Sequence, residues 1–164
     1  MTEFLRIYLR DQFALGITWR ELARRARDNN RGTELGDALA KVAQAIAEDV
    51  RTFELIMRTL NVRPNRAKAA AAFAGERLGR LKYNGRLRSY SPLSRFLELE
   101  ALAMGIEGKK ILWTTLGDLA GLRARVPSVD FDDLLARADH QRNTVEPFRR
   151  QIGIEIMTPT HQEN

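Results

Sequence analysis

Five charged side chains fall where a helix-packing pattern calls for apolar ones: Asp11, Asp49, Glu100, Glu107 and Arg142. Carboxylates gathered inside a fold can hold metal ions, carry protons, or pair with a fixed positive charge. They cannot remain together unneutralised, because close like charges in a poor solvent force protons on or cations in. Glu48, Arg51, His140 and Glu146 stand at the margins of the same pattern. The chain has no cysteine, so thiolate metal sites, thiol nucleophiles and disulfides are excluded.

The element that must position Asp49 is the clearest in the chain. Leu35, Leu39, Val42, Ile46, Phe53, Ile56 and Leu60 alternate steps of four and three, the signature of a helix packing along a bundle axis, and Asp49 occupies one step of that series. A first helix spans about Glu3 to Asp28, with Phe4, Tyr8, Leu15 and Leu22 on its seam and Asp11, Thr18 and Arg25 in the gaps. Asn29-Asn30-Arg31-Gly32 stops it and Thr33 caps the next helix, so the first two helices form an antiparallel pair. Pro64 forbids simple continuation of the second helix beyond about Asn61. A shorter third helix is expected from Arg66 to about Leu81, followed by an irregular link to Ser91.

Ser91 caps a fourth helix with Pro92 in its first position, and this helix is expected to reach about Leu122. It carries two apolar stripes. Leu93, Leu97, Met104 and Ile111 are interrupted by Glu100 and Glu107; Phe96, Leu99, Ala103, Ile106 and Trp113 form the second, over which the short third helix is expected to lie. Asp130 caps a fifth helix whose seam reads Phe131, Leu135, Ala138, Val145 and Ile152 with Arg142 in the gap; Pro147 is expected to kink it. Trp19 and Trp113 read as packing residues. The fold class is therefore all-α: residues 1–157 as one helical bundle domain, residues 158–164 as a disordered tail. No apolar run approaches the ~20 residues of a membrane span, and the N-terminal residues show no apolar signal core. The expectation is a cytoplasmic protein without a membrane partner.

Two hairpins of long helices joined by a middle crossover of some thirty residues resemble the ferritin-like superfamily, more particularly its actinobacterial helical-bundle proteins without an assigned activity. The likeness covers about residues 3 to 155. It is carried by Glu48-Asp49-Val50-Arg51, by Tyr90-Ser91-Pro92-Leu93-Ser94-Arg95-Phe96-Leu97-Glu98-Leu99-Glu100, and by Asp139-His140-Gln141-Arg142. The resemblance implies a four-helix bundle with the short extra helix in the crossover between its second and third members. Di-iron members of that superfamily carry Glu-x-x-His on two helices. Here the matching places read Glu48-x-x-Arg51 and Asp139-x-x-Arg142, His140 falls two residues short, and His161 lies in the tail. Arginine keeps its proton and cannot bind iron, but its planar fork can hold carboxylates.

The leading reading is a metal-free, non-enzymatic structural or interaction protein without cofactor, self-associating as a homo-oligomer, with a dimer favoured. Its degenerate di-iron site would be a buried polar network of Asp11, Asp49, Glu100, Glu107 and Arg142. On that reading Arg142→Met costs about 3–5 kcal/mol. The alternative is a di-metal (iron or manganese) oxidase, oxygenase or iron-handling protein whose ligands are those acids with His140. A second alternative rests on charge. Residues 62–95 hold nine basic residues against the single acid Glu76, more than the whole chain's net +6. Arg63, Arg66, Lys68, Arg77, Arg80, Lys82, Arg86 and Arg88 could form an anion-binding face for nucleic acid or another polyanion.

Overall fold

A computed structural model describes residues 1–64 and 90–158. The crossover helix expected at 66–81, most of the basic segment and the tail with His161 lie outside the described residues. What is described is helical, with no strand among the described residues. Four long helices and a short one follow in order: α1 (Glu3–Asn29), α2 (Glu34–Thr59), α3 (Pro92–Thr114), α4 (Leu122–Arg125) and α5 (Phe131–Met157). A single π-helical turn, Thr115–Leu119, follows α3. None of these helices is long and apolar enough to cross a membrane.

The boundaries follow from local chemistry. The hydroxyls of Thr2, Thr33 and Ser91 accept from the backbone N–H of Leu5, Gly36 and Ser94, and Asp130 accepts from both Asp132 and Asp133. Each cap satisfies donors that the first helical turn leaves free. Between α1 and α2 the chain turns on Gly32 in the left-handed region, at φ 77°. The fourth predicted helix ends earlier than expected. α3 stops at Thr114, loosens into the π turn, and is broken by Gly121 at φ 62° before the single turn of α4. Arg123 clamps this corner, donating to Asp118 and Asp132 at 2.8 Å each. α5 continues through Pro147 as one helix.

α1 packs on α2 and α3, and α5 packs on α3 and α2. Direction follows from the contacts. Arg25, near the end of α1, donates to Glu98 at the start of α3 at 2.9 Å, and Asn30 in the α1–α2 turn donates to Tyr90 at 3.0 Å. α3 therefore begins at the end of the molecule where α2 begins, and the two run parallel. Further along, the rings of Phe53 in α2 and Trp113 in α3 lie 5.8 Å apart. The end of α2 and the start of α3 consequently sit at opposite ends of the molecule.

The apolar core is in two parts. At the turn end, Leu22, Leu35, Leu39, Val42, Ile46, Phe96, Leu99, Leu102, Ile106, Val145 and Ile152 pack together. At the other end, Leu9, Phe13, Phe53, Ile56, Met57, Trp113, Leu116, Leu122, Phe131 and Leu134 do so. The seam expected for α2 is the one observed, Asp49 included. Of the seam expected for α1, Leu22 is in the core, but the rest of the inward face is Leu9, Phe13, Ala14, Ala23 and Ala26, while Phe4 is 85% exposed and Asp11 is exposed. Alanines contribute little to a hydrophobic pattern, so the true seam of α1 is nearly silent in the sequence. On α3 the second stripe, Phe96 to Trp113, forms part of the core with α1, α2 and α5, and Leu93, Met104 and Ile111 of the first stripe are exposed; the crossover helix expected to lie over the second stripe falls outside the described residues.

Gly105 of α3 is fixed by its neighbour. A methyl group there would meet the Trp19 ring at 2.6 Å, whereas one at Gly108 would meet nothing within 4 Å. Gly105→Ala is expected to destabilise by about 1–3 kcal/mol through overpacking. Gly108→Ala should stabilise by up to ~1 kcal/mol through helix propensity. Urea unfolding of the two variants beside the parent checks both signs.

Candidate functional site

Where the two apolar clusters meet, the interior turns polar. Asp49 of α2 is 2% exposed. Its Oδ2 accepts from the Lys109 ammonium of α3 and, at 2.9 Å, from the Gln141 amide of α5. Lys109 also donates to the Gln141 carbonyl oxygen. Arg137, one turn before Gln141 on α5, brings Nη2 within 2.7 Å of Asp49 Oδ1, but off the line of its N–H bonds. That contact is an ion pair without a directed hydrogen bond. Arg137 reaches outward as well, to Glu48 at 3.7 Å and Asp133 at 3.7 Å. Three helices thus meet at one carboxylate with a cation on either side. Burial pulls the Lys109 ammonium below its ordinary pKa, and the Asp49 charge opposes that pull.

This centre differs from the network expected from the sequence. Of its five members only Asp49 is buried. Asp11 points to solvent, because the seam of α1 runs through Leu9 and Phe13 instead. Glu100 and Glu107 lie on the outward stripe of α3: Glu107 is exposed and Glu100 half-buried. Arg142 reaches neither Asp49 nor the interior; it bonds to Glu146 and lies 3.6 Å from Glu107. The reason is one of register. From Ala138 to Val145 the series can step through 141 or 142, and the structure uses the three-then-four step, burying Gln141 and leaving Arg142 at the edge. His140 and Arg51 are exposed, and Glu48 and Glu146 are half-buried.

Glu100, Glu107 and Arg142 belong to a second arrangement along the rim between α3 and α5. There Arg149 donates to Glu100 at 3.3 Å and to Glu146 at 2.7 Å, Arg142 bonds Glu146, and Lys110 lies 3.5 Å from Glu107 and 2.6 Å from Asp139. Hydrogen bonds from Arg149 foremost, and then from Arg142, hold the Glu146 carboxyl down to about 2. A third cluster, at the turn end, was not legible at all. Glu98, 6% exposed, accepts from Arg25 and from the Tyr90 hydroxyl at 2.9 Å each, and Asn30 donates to the same hydroxyl. Burial foremost pushes the Tyr90 phenol up to about 12, with the Glu98 charge adding to it. Tyr90 lies outside any helix pattern, so no periodicity could have announced this cluster.

Beside the central pair, a cleft of about 290 Å³ opens between α1 and α3, floored by α2. Its walls include Phe13, Trp19, Phe53, Ile106 and Trp113, and Asp49 and Lys109 line it too. The di-iron group that the resemblance implies does not fit this centre. The nearest partners of Asp49 are an ammonium, a guanidinium and an amide, and among the described residues no three His, Asp or Glu side chains are grouped to hold a metal ion. Of the basic segment, Arg63 is exposed and the Arg95 guanidinium sits 5.4 Å over the Tyr90 ring; Arg66, Lys68, Arg77, Arg80, Lys82, Arg86 and Arg88 lie outside the described residues.

Removing one partner of a buried ion pair strands the other charge. Asp49→Leu is therefore expected to cost about 3–5 kcal/mol, and adding Lys109→Met should restore most of that loss. Arg142→Met, at the rim, should cost no more than about 1 kcal/mol. Chemical denaturation of the three variants measures all of this. The Glu146 carboxyl has a folded-state pKa below its ordinary 4.5, so its contribution is present above that pH and is lost as pH falls towards about 2. Solvent screens the rim, so Glu146→Gln should lose about 1 kcal/mol at pH 7. The difference from the parent should shrink to nothing by about pH 2, read from urea melts across that range.

No protein-family model, curated protein or solved structure matches this chain, so what the centre does has to be read from its own residues.

Proposed function

We propose that the protein is a metal-free, non-catalytic ferritin-like bundle with a structural or interaction role. Parallel α2 and α3, with antiparallel neighbours on either side, support the ferritin-like connectivity. The observation that carries the functional reading is the centre itself. The buried carboxylate of α2 is neutralised by Lys109 and Arg137, side chains of this chain's own α3 and α5, where a di-metal protein of that fold would place its cations. A tethered ammonium needs no loading and offers no open coordination position for oxygen or substrate. The di-metal alternative asks Asp11 and Glu107 to converge on Asp49, and both are exposed on outer faces.

Self-association is part of the same proposal. Met104 (59% exposed) and Ile111 (68%) on α3 leave large apolar side chains in water at the mouth of the α1–α3 cleft, and Phe4 on α1 and Leu119 on the π turn are exposed as well. Such groups gather at interaction surfaces, which supports a dimer through that side.

Expression with added iron and manganese, followed by elemental analysis of the purified protein, tests the central claim. The expected content is well below one equivalent of either metal. About two equivalents, lost on Asp49→Asn, would overturn it. Light scattering on the same sample should give twice the chain mass.

A further inference from the structure

Three glycines line the cleft between α1 and α3, and two of them have no packing reason to be glycine. Gly16 stands on the α1 wall, Gly105 and Gly108 on the α3 wall. Glycine inside a helix weakens it, so an interior glycine ordinarily answers a need for close packing. Gly105 has that need, because the Trp19 ring sits against it. Gly16 and Gly108 do not. A Cβ at Gly16 would rest 3.6 Å from Val50 Cγ2, an ordinary contact, and one at Gly108 would meet nothing within 4 Å. Val50 lines the cleft as well, so the side chain that Gly16 lacks is missing from the cleft itself. What these two glycines supply is space.

The walls around that space decide what fills it. Tyr8, Phe13, Trp19, Phe53 and Trp113 line it with rings. The charged residues lining it, among the described residues, are Asp49 and Lys109, and these two are bonded to each other. Arg137, 2.7 Å from the same carboxylate, is met on its outer side by Glu48 and Asp133. Each charge here already has its opposite, so nothing offsets the water that a charged ligand would have to shed. We infer that the cleft is a binding site for one neutral, largely hydrocarbon molecule of one or two fused rings. A closed apolar cavity of about 150 Å³ is enough for benzene, and the 290 Å³ of this cleft leaves room for a second ring. Small-molecule sites run from roughly 300 to 1,000 Å³, so a nucleotide or a large cofactor is too big for it. Met104 and Ile111, exposed at the mouth, cover the outer edge of such a ligand, and the thioether of Met104 adapts readily to a ring.

The site rests on neither the metal content nor the number of chains, so its test can fail while those readings stand. Naphthalene, 2-naphthoate and protonated 2-naphthylmethylamine present one ring body as a neutral molecule, an anion and a cation. Calorimetric titration of the full chain with each, beside quenching of the two tryptophans, reads affinity and stoichiometry. The expected result is saturable binding of one naphthalene per chain, at least about 10-fold tighter than either charged analogue. Gly16→Leu and Gly108→Leu put a side chain into the space, and each should weaken naphthalene binding by about 10-fold or more. Thermal melts show whether each variant is folded. No saturable binding of naphthalene up to its solubility, as when a second copy already covers the cleft, would overturn the inference. A charged analogue binding as tightly as naphthalene would overturn it too, and that comparison needs no variant. If a folded Gly16→Leu and a folded Gly108→Leu both bind naphthalene as the parent does, the ligand sits elsewhere and the inference falls.

Discussion

Everything in the middle of this molecule depends on the charge of Asp49 being met from two other helices. A carboxylate taken out of water loses several kilocalories of hydration, and only close opposite charge and full hydrogen bonding restore it. Lys109 supplies the charge from α3, and Gln141 completes the second half of the Oδ2 acceptor capacity from α5. Sliding any one of these helices by a turn would leave a charge unmatched between the buried side chains of Ile46 and Val50. Buried ion pairs contribute little net stability compared with packed hydrocarbon. Their best-attested role is to reject wrong registers. In this protein the rejected alternatives are easy to name, because α3 has two apolar stripes and could bury either.

That constraint also divides the core. Apolar side chains above and below the Asp49 layer form separate clusters, each pinned by its own polar lock. At the turn end the lock is Asn30, Tyr90, Glu98 and Arg25, which ties the α1–α2 turn to the entrance of α3. At the far corner Arg123 spans Asp118 and Asp132, joining the π turn to the start of α5. The rim chain of Arg149, Glu146 and Arg142 runs between these on the outer side of α3 and α5, where water weakens it. Buried and exposed ion pairs thus do different work: the buried ones fix which faces meet, and the rim fixes little beyond the local side-chain order.

The sequence made the helices legible and mis-set the inward faces of three of them. Caps at Thr33, Ser91 and Asp130 stood in plain view because hydroxyls and carboxylates at helix starts have a local reason to be there. The seam of α2 could be read because its members are large and its one polar member, Asp49, is flanked by them. α1 failed because its inward face is built partly of Ala14, Ala23 and Ala26, while Phe4 and Leu15 advertised a face one position round. α3 failed because both of its faces are apolar, and the acids that interrupt one face looked like a buried set. α5 failed by a single residue. Gln141 and Arg142 are adjacent, and an arginine beside four expected carboxylates is the more conspicuous choice. Lys109 was invisible for the opposite reason. A lysine followed by a second lysine reads as a solvated pair until a buried acid on another helix gives one of them a partner.

A covalently held ammonium changes what a bundle centre can offer. A metal ion accepts electron pairs and so recruits anions, water and oxygen. An ammonium donates hydrogen bonds and seeks acceptors. Lys109 gives two of its donors to Asp49 Oδ2 and the Gln141 carbonyl oxygen, so one side chain of α3 ties α2 to α5. Burial lowers its basicity and the Asp49 charge opposes that, so the ammonium and the carboxylate hold each other's charge inside the bundle.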